Sequence, residues 1–367
     1  MLDFTSAHYL GLRHDPASIG AWSRLSAGVP AALAEPDGAP ALCDAMAAWL
    51  GVQRVTLLPS TLHLFWDLFG AMMDGDEAIF WDDGAYPIAR WGVERARGRR
   101  VPATPFRHHD PDSLRRAMLR LRSARRPVVV TDGFCPGCAR HAPLTAYRDL
   151  ARDAGGWVVV DDTQAIGLYG PPARGAPYGL QGRGTLAHLR LDGDAVLVGA
   201  SLSKALGVPI AALAGPRAWI ERFERRSDTR VHCSPATTTV IAAGAHALSV
   251  NARRGELLRR RLADNVRRFS SGLRAFGHAS VGGLHPIQRV LSVSPGDAPS
   301  VYTRLLRCGV RAVLQRPACS GVASVTFVLS ANHAPDDIER AVSTLTALTA
   351  RDVSGASIEP PDRSLKP

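Results

Sequence analysis

Residues 157–167 read WVVVDDTQAIG, and residues 195–207 read AVLVGASLSKALG. Each begins with an apolar run of strand length and then breaks into a polar turn. Unbroken apolar runs of this kind mark strands buried on both faces, as in a parallel sheet covered by helices. In such sheets ligands bind in the crevice beyond the carboxyl ends of the strands. Asp161 stands at the end of the first run. Lys204 stands just past the end of the second, among Ser201, Ser203 and Gly207.

A lysine held there, with an acid on a neighbouring strand tip, suits pyridoxal phosphate (PLP). The amine bonds the aldehyde of PLP, and a carboxylate pairs with the pyridine nitrogen and keeps it protonated, so the ring accepts electrons. A solvated lysine and a helix-capping aspartate would account for either residue alone. They do not account for the two at this spacing.

Outward from these stretches, strand-like and helix-like segments alternate. Val55–Leu58, Glu77–Trp81, Val101–Pro105, Pro127–Thr131 and Val208–Ala214 read as strands. Ala41–Leu50, Leu62–Met73, Ile88–Gly98, Asp110–Arg122, Leu144–Ala154 and Pro216–Arg226 read as helices. The alternation predicts an α/β protein with a mostly parallel sheet covered on both faces. Ser60 or Thr61 is a natural N-cap, and such a helix start, with its free N–H groups, is also an anion site. A long helix is expected from Thr237 to about Phe276, followed by a small α+β unit. The expected divisions are an N-terminal segment 1–45, a large domain 46–250, a small domain 251–350 that includes the connecting helix, and a polar, disordered tail 351–367.

Hydrophobic residues make up 46% and charged residues 21%, as in an ordinary soluble globular chain. No apolar stretch is long enough to span a membrane, and MLDFTSAHYLGLRH has an early acid and no apolar core, unlike a signal peptide. The formal net charge of +11 is mostly arginine. In the cluster from Arg115 to Arg126, the arginines read as the wet side of an amphipathic helix with Leu114, Met118 and Leu121 inward. Without aromatic interleaving they predict no nucleic-acid site, but they favour an anionic substrate. Six cysteines suit a reducing compartment, the cytoplasm. Cys135 and Cys138, in C-P-G-C, read as a turn, because no second pair completes a metal motif, and no metal is expected.

At this point the motifs resemble one family, the α-oxoamine synthases, across about Leu2–Leu348. LDFTSAHYLGLRH is similar to its N-terminal Y-L-G-L segment, and LLPSTL to its phosphate-loop segment. TDGFCPGCARHAPL resembles its T-E-G…A-P-L loop, VVVDDTQAIGLYG its V-D-D-A-H strand end, and GASLSKALG its lysine segment. RPACSGVASVTFVLSANH resembles its C-terminal R-P-P stretch. The resemblance implies a fold-type-I PLP transferase with a seven-stranded sheet and a small C-terminal domain. It implies that Lys204 is the Schiff-base lysine and Asp161 the partner of the ring nitrogen. Ser60, Thr61, Leu62, Ser201 and Ser203 would surround the phosphate. Ser234 would reach it from a neighbouring subunit, which implies a homodimer with shared active sites.

The departures bear on substrate. Gln164 replaces the family histidine after the strand end and still offers a donor to the ring hydroxyl. The ring-stacking histidine is missing, and Tyr86 is the nearest aromatic. Pro136 replaces the loop serine. Ser324 and Thr326 stand where the family's carboxylate-binding arginine belongs, with Arg316 or Arg311 as a substitute, neither on the matching strand position. The family's N-terminal asparagine is Ala7, beside His8. The expected activity is decarboxylative condensation of an amino acid with an acyl thioester, on CoA or a carrier protein. Amino transfer or a lyase reaction with a rebuilt substrate site is the alternative, and a PLP fold without catalysis is a third.

Overall fold

Valines alternate across the sheet core, and each face carries its own apolar layer. Val128, Val130 and Val159 point into one layer with Phe65, Phe69, Ile220 and Phe223. Val129, Val158 and Val160 point into the other with Tyr147, Leu168 and Ile241. This period of two, with both faces apolar, is what a doubly covered sheet requires.

The computed structural model describes residues 1–22, 24–120 and 125–354. Its large sheet has seven strands: β1 (Arg54–Leu58), β2 (Glu77–Asp82), β3 (Ala103–Phe106), β4 (Arg126–Asp132), β5 (Trp157–Asp161), β6 (Val196–Ser201) and β7 (Ala211–Gly215). The spatial order is β1-β7-β6-β5-β4-β2-β3. Only β7 runs antiparallel to its neighbours, and it begins at Ala211 rather than at Val208. Residues 202–210 instead form a turn closed by Leu202 N–H on Ile210 O and Val208 N–H on Leu202 O. That turn carries Lys204.

Helix Pro111–Arg120 buries Leu114 and Ala117 and leaves Arg115, Arg116 and Arg120 exposed. Leu121 and Arg122 lie outside the described residues. Helix Thr238–Ala275 has 38 residues, about 57 Å at 1.5 Å per residue. It packs on helix Ala39–Leu50 near its start and on helix Pro335–Ser354 near its end. The final helix thus continues past Ala350, and the tail from 355 lies outside the described residues.

The small unit is an antiparallel sheet in the order Ser280–Val281, Ile287–Val290, Ser324–Val328, Val313–Gln315. The first residues of the chain join it. Leu2–Asp3 pairs parallel with Val310–Arg311, Val328 N–H donates to Phe4 O, and Ala331 N–H donates to Tyr9 O. No described helix is long and apolar enough to cross a membrane.

Candidate active site

Two adjacent strands end at one level, with Asp132 opposite Asp161, and the third, with Gly199 opposite Asp161, runs two residues further to Ser201. Beyond them lies a cavity of about 520 Å³, lined in part by Asp132, Asp161, Thr163, Gln164, Ser201 and Lys204. The two stretches that decided the fold therefore deliver their polar residues to one place.

Asp161 is buried, and burial pushes its carboxyl above the ordinary range. Hydrogen bonds from Thr163 and the charge of Lys204 act the other way. The Thr163 N–H donates to Asp161 Oδ1 at 3.0 Å, and the Thr163 hydroxyl accepts Ser201 N–H at 2.9 Å. One threonine thus ties the tip of β5 to the tip of β6. Burial lowers the Lys204 amine, opposed by Asp161 and Asp132. A lysine held down in this way spends more of its time neutral, as a nucleophile or proton carrier must.

Sequence reading did not single out Asp132. Burial raises its carboxyl well above the usual range, and the charge of Asp161 raises it further. It accepts the Tyr86 N–H at 3.2 Å. The clue was its place at the end of a strand-length apolar run, in register with Asp161.

Gln164 accepts the Tyr9 hydroxyl at 2.6 Å through Oε1, which fixes its amide and leaves the NH2 to donate. Tyr9 packs edge-on against His285, and His285 stacks on Phe134. Tyr9 is the tyrosine of the Y-L-G-L segment, but its contact with Gln164, like the place of His285, joins distant parts of the chain. His8, next to Tyr9, is exposed and does not line the cavity.

Thr61 lines the cavity as the first residue of helix Thr61–Ala71. Ser60 takes the N-cap position, but its side chain does not cap. Its hydroxyl bonds His63 Nδ1 at 2.8 Å instead. The helix start therefore keeps its N–H groups for an anion. Ser201 and Ser203 share a short hydroxyl contact. Leu62 and Ser234 are exposed and outside the cavity lining, and Tyr86, 55% exposed, stands at its rim.

From the small domain come Ile287, Gln315, Arg316, Pro317 and Ala318. Lys204 and Arg316 are the cationic lining residues. Ser324 and Thr326 are buried on the small sheet, and Gln315 donates to the Thr326 hydroxyl at 2.8 Å. No cation stands on that strand.

One buried acid, Asp161, and a half-buried acid and amine, Asp132 and Lys204, surround an open cavity and are short of a partner there, because charges withdrawn from water are ordinarily paired. A flat heterocycle with a protonated nitrogen, an aldehyde and a phosphate fits all three features and the uncapped helix start. The fold and this site define a PLP-dependent transferase of fold type I.

Comparison with known proteins agrees. Residues 1–345 match the family model described as aminotransferase class I and II, and the chain belongs to that family. The 8-amino-7-oxononanoate synthase of Sodalis glossinidius is 31% identical over 94% of this chain and 87% of its own. That of Methylococcus capsulatus is 30% identical over 92% and 86%. Among solved structures, a Sphingomonas wittichii serine palmitoyltransferase superposes with a TM-score of 0.81 at 18% identity, covering 95% of this chain and 87% of the other. An 8-amino-7-oxononanoate synthase from Francisella tularensis gives 0.73 at 16%, covering 96% and 98%.

Proposed function

We propose that the enzyme condenses an amino acid with an acyl thioester, releasing carbon dioxide and the free thiol. The observation that carries this reading is the half-buried Lys204 amine, in the turn after the strand next to Asp161, in a chain whose relatives at about 30% identity are named 8-amino-7-oxononanoate synthase.

When bound, PLP supplies the electron sink for the electron pair left at the substrate α-carbon. In this reading Asp161 holds the proton on the ring nitrogen. The helix start at Thr61, with Leu62 and the Ser60 backbone, binds the phosphate together with Ser201 and Ser203. Gln164 donates to the ring hydroxyl, and Tyr86 covers one face of the ring. Lys204 holds the cofactor and moves a proton at the substrate α-carbon. Arg316 binds the substrate carboxylate from the rim, a task that suits a guanidinium fork. Pro136, Pro317 and Ile287 supply apolar walls that exclude water. His8 is exposed, lies outside the cavity lining and serves the reading less well than Tyr9.

The protein functions in this reading as a homodimer with shared sites, which fits an exposed Ser234 outside its own cavity. The described cysteines are all free, as suits the cytoplasm. The bare small-domain strand at Ser324 and Thr326 favours amino transfer as the second reading.

The test is to incubate the PLP-loaded enzyme with single amino acids, with or without an acyl-CoA or an acyl carrier protein. Release of carbon dioxide and free thiol only when both substrates are present is expected. Formation of a 2-oxo acid from the amino acid alone, without thiol release, would replace condensation with amino transfer. Lys204→Ala should lower either activity by on the order of 10³ or more.

A further inference from the structure

The C-P-G-C turn joins two short strands, Phe134–Cys135 and Arg140–His141, at the wall of the active-site cavity. Cys135 is buried and Cys138 half-buried. No second cysteine pair exists in the sequence, but the fold brings other ligands to this turn. His108 Nε2 lies 3.4 Å from Cys138 Sγ. One ligand atom from each of His108, Cys135 and Cys138 falls within 4.8 Å of the others. Cys319, from the small-domain loop after Arg316, lies beside this cluster, and its thiol interacts electrostatically with those of Cys135 and Cys138. That loop sits so close that a Cβ on Gly137 would stand 2.6 Å from Cys319 Sγ.

We infer that Cys135, Cys138, Cys319 and His108 form a zinc site that clasps the small domain to the large one beside the active-site mouth. Around a tetrahedral zinc, Zn–S bonds of about 2.3 Å and a Zn–N bond of about 2.0 Å put sulfur and nitrogen roughly 3.5 Å apart. The His108–Cys138 separation already matches that edge. The other nitrogen of His108, Nδ1, bonds Asp82 Oδ1 at 2.7 Å. Asp82 is buried and is held in turn by the N–H groups of Gly84 at 2.8 Å and His109 at 3.1 Å. An imidazole fixed on one side by a carboxylate and aimed with its other nitrogen at thiols is the usual support for a histidine zinc ligand. A Cβ on Gly84 would reach within 2.3 Å of His108 Nδ1, so glycine is what lets the ring lie there. Three thiols and one imidazole select zinc over the hard cations. On binding, each thiol gives up its proton to solvent and becomes a thiolate ligand.

The test uses the full-length, PLP-loaded enzyme purified under reducing conditions without chelator. Elemental analysis should find one zinc per chain. Replacement by cobalt(II) should give thiolate-to-metal charge transfer and intense visible bands of a tetrahedral site, to the red of PLP absorption. Cys138→Ser and Cys319→Ser should each abolish those bands, while Cys308→Ser, remote from the cluster, leaves them unchanged. Asp82→Asn should weaken zinc binding by about 10–100-fold. Circular dichroism and retained PLP absorption identify variants that are folded. Sub-stoichiometric zinc together with a cobalt spectrum lacking thiolate bands would overturn the site. So would mass spectrometry showing two of the three cysteines already joined as a disulfide in the reduced preparation. Bands that persist in folded Cys319→Ser would overturn the clasp.

Discussion

Asp161 shows how much one side chain owes to its neighbours. Its burial alone would favour the neutral acid. Thr163 and Lys204 restrain that tendency, and a cation at the ring nitrogen would complete the restraint. Asp161→Asn keeps the shape and removes the charge. The variant should retain PLP, seen as an unchanged stoichiometry after gel filtration, while turnover falls by on the order of 10²–10³. Turnover within a fewfold of the parent would remove Asp161 from this role. Asp161 and Lys204 were legible because each ends an apolar run, a purely local signal. Asp132 carried the same signal and needed only the register to be noticed. The Tyr9–Gln164 bond, His285 and the approach of His108 and Cys319 to the C-P-G-C turn were not legible, because their meaning lies in contacts between distant parts of the chain.

At the scale of elements, helix Thr61–Ala71, whose first residue lines the cavity, is held by its neighbour Pro87–Gly98. The two meet at Gly92, where a Cβ would stand 2.2 Å from the backbone carbonyl oxygen of Phe65. Backbone cannot yield as a flexible side chain can, so Gly92→Ala must push the helices apart. A loss of about 1–3 kcal/mol is expected, read as a lowered urea midpoint with an unchanged slope. An unaltered midpoint would show that the contact relaxes freely. The sequence reading placed these helices to within two residues, Leu62–Met73 against Thr61–Ala71 and Ile88–Gly98 against Pro87–Gly98. It misplaced the start of β7, since Val208-Pro209-Ile210 has strand composition but is used to close the lysine turn. Residue type offered Ser60 or Thr61 as the N-cap; Ser60 takes the position but gives its side chain to His63 instead, a choice between two local partners that propensity does not decide.

For the whole molecule, the buried His285 and the half-buried His141 couple stability to pH. Burial lowers His285 to about 3 and His141 to about 4. The folded protein therefore binds fewer protons than the unfolded chain between those values and about 6.5, and stability falls as pH drops through that window. Asp162, raised by burial to about 7, works in the opposite sense, losing stability as pH climbs from 3.8. A single-residue comparison separates them. The deficit of His285→Gln relative to the parent should shrink by about 2 kcal/mol between pH 7 and pH 5, at about 1.4 kcal/mol per pH unit. A deficit independent of pH would mean that His285 is not held neutral.

The continuous helix Thr238–Ala275 gives both halves of the molecule a common spine. Its buried Arg259 donates to the carbonyl of Gly167 at 2.8 Å, which rivets the shaft to the segment that follows Asp161. Jaws mounted on one stiff shaft cannot swing wide. Room for a bulky acyl tail must then come from the lips of the mouth, the loops at 136–138 and 316–318, and their length and composition are where chain-length preference would be tuned.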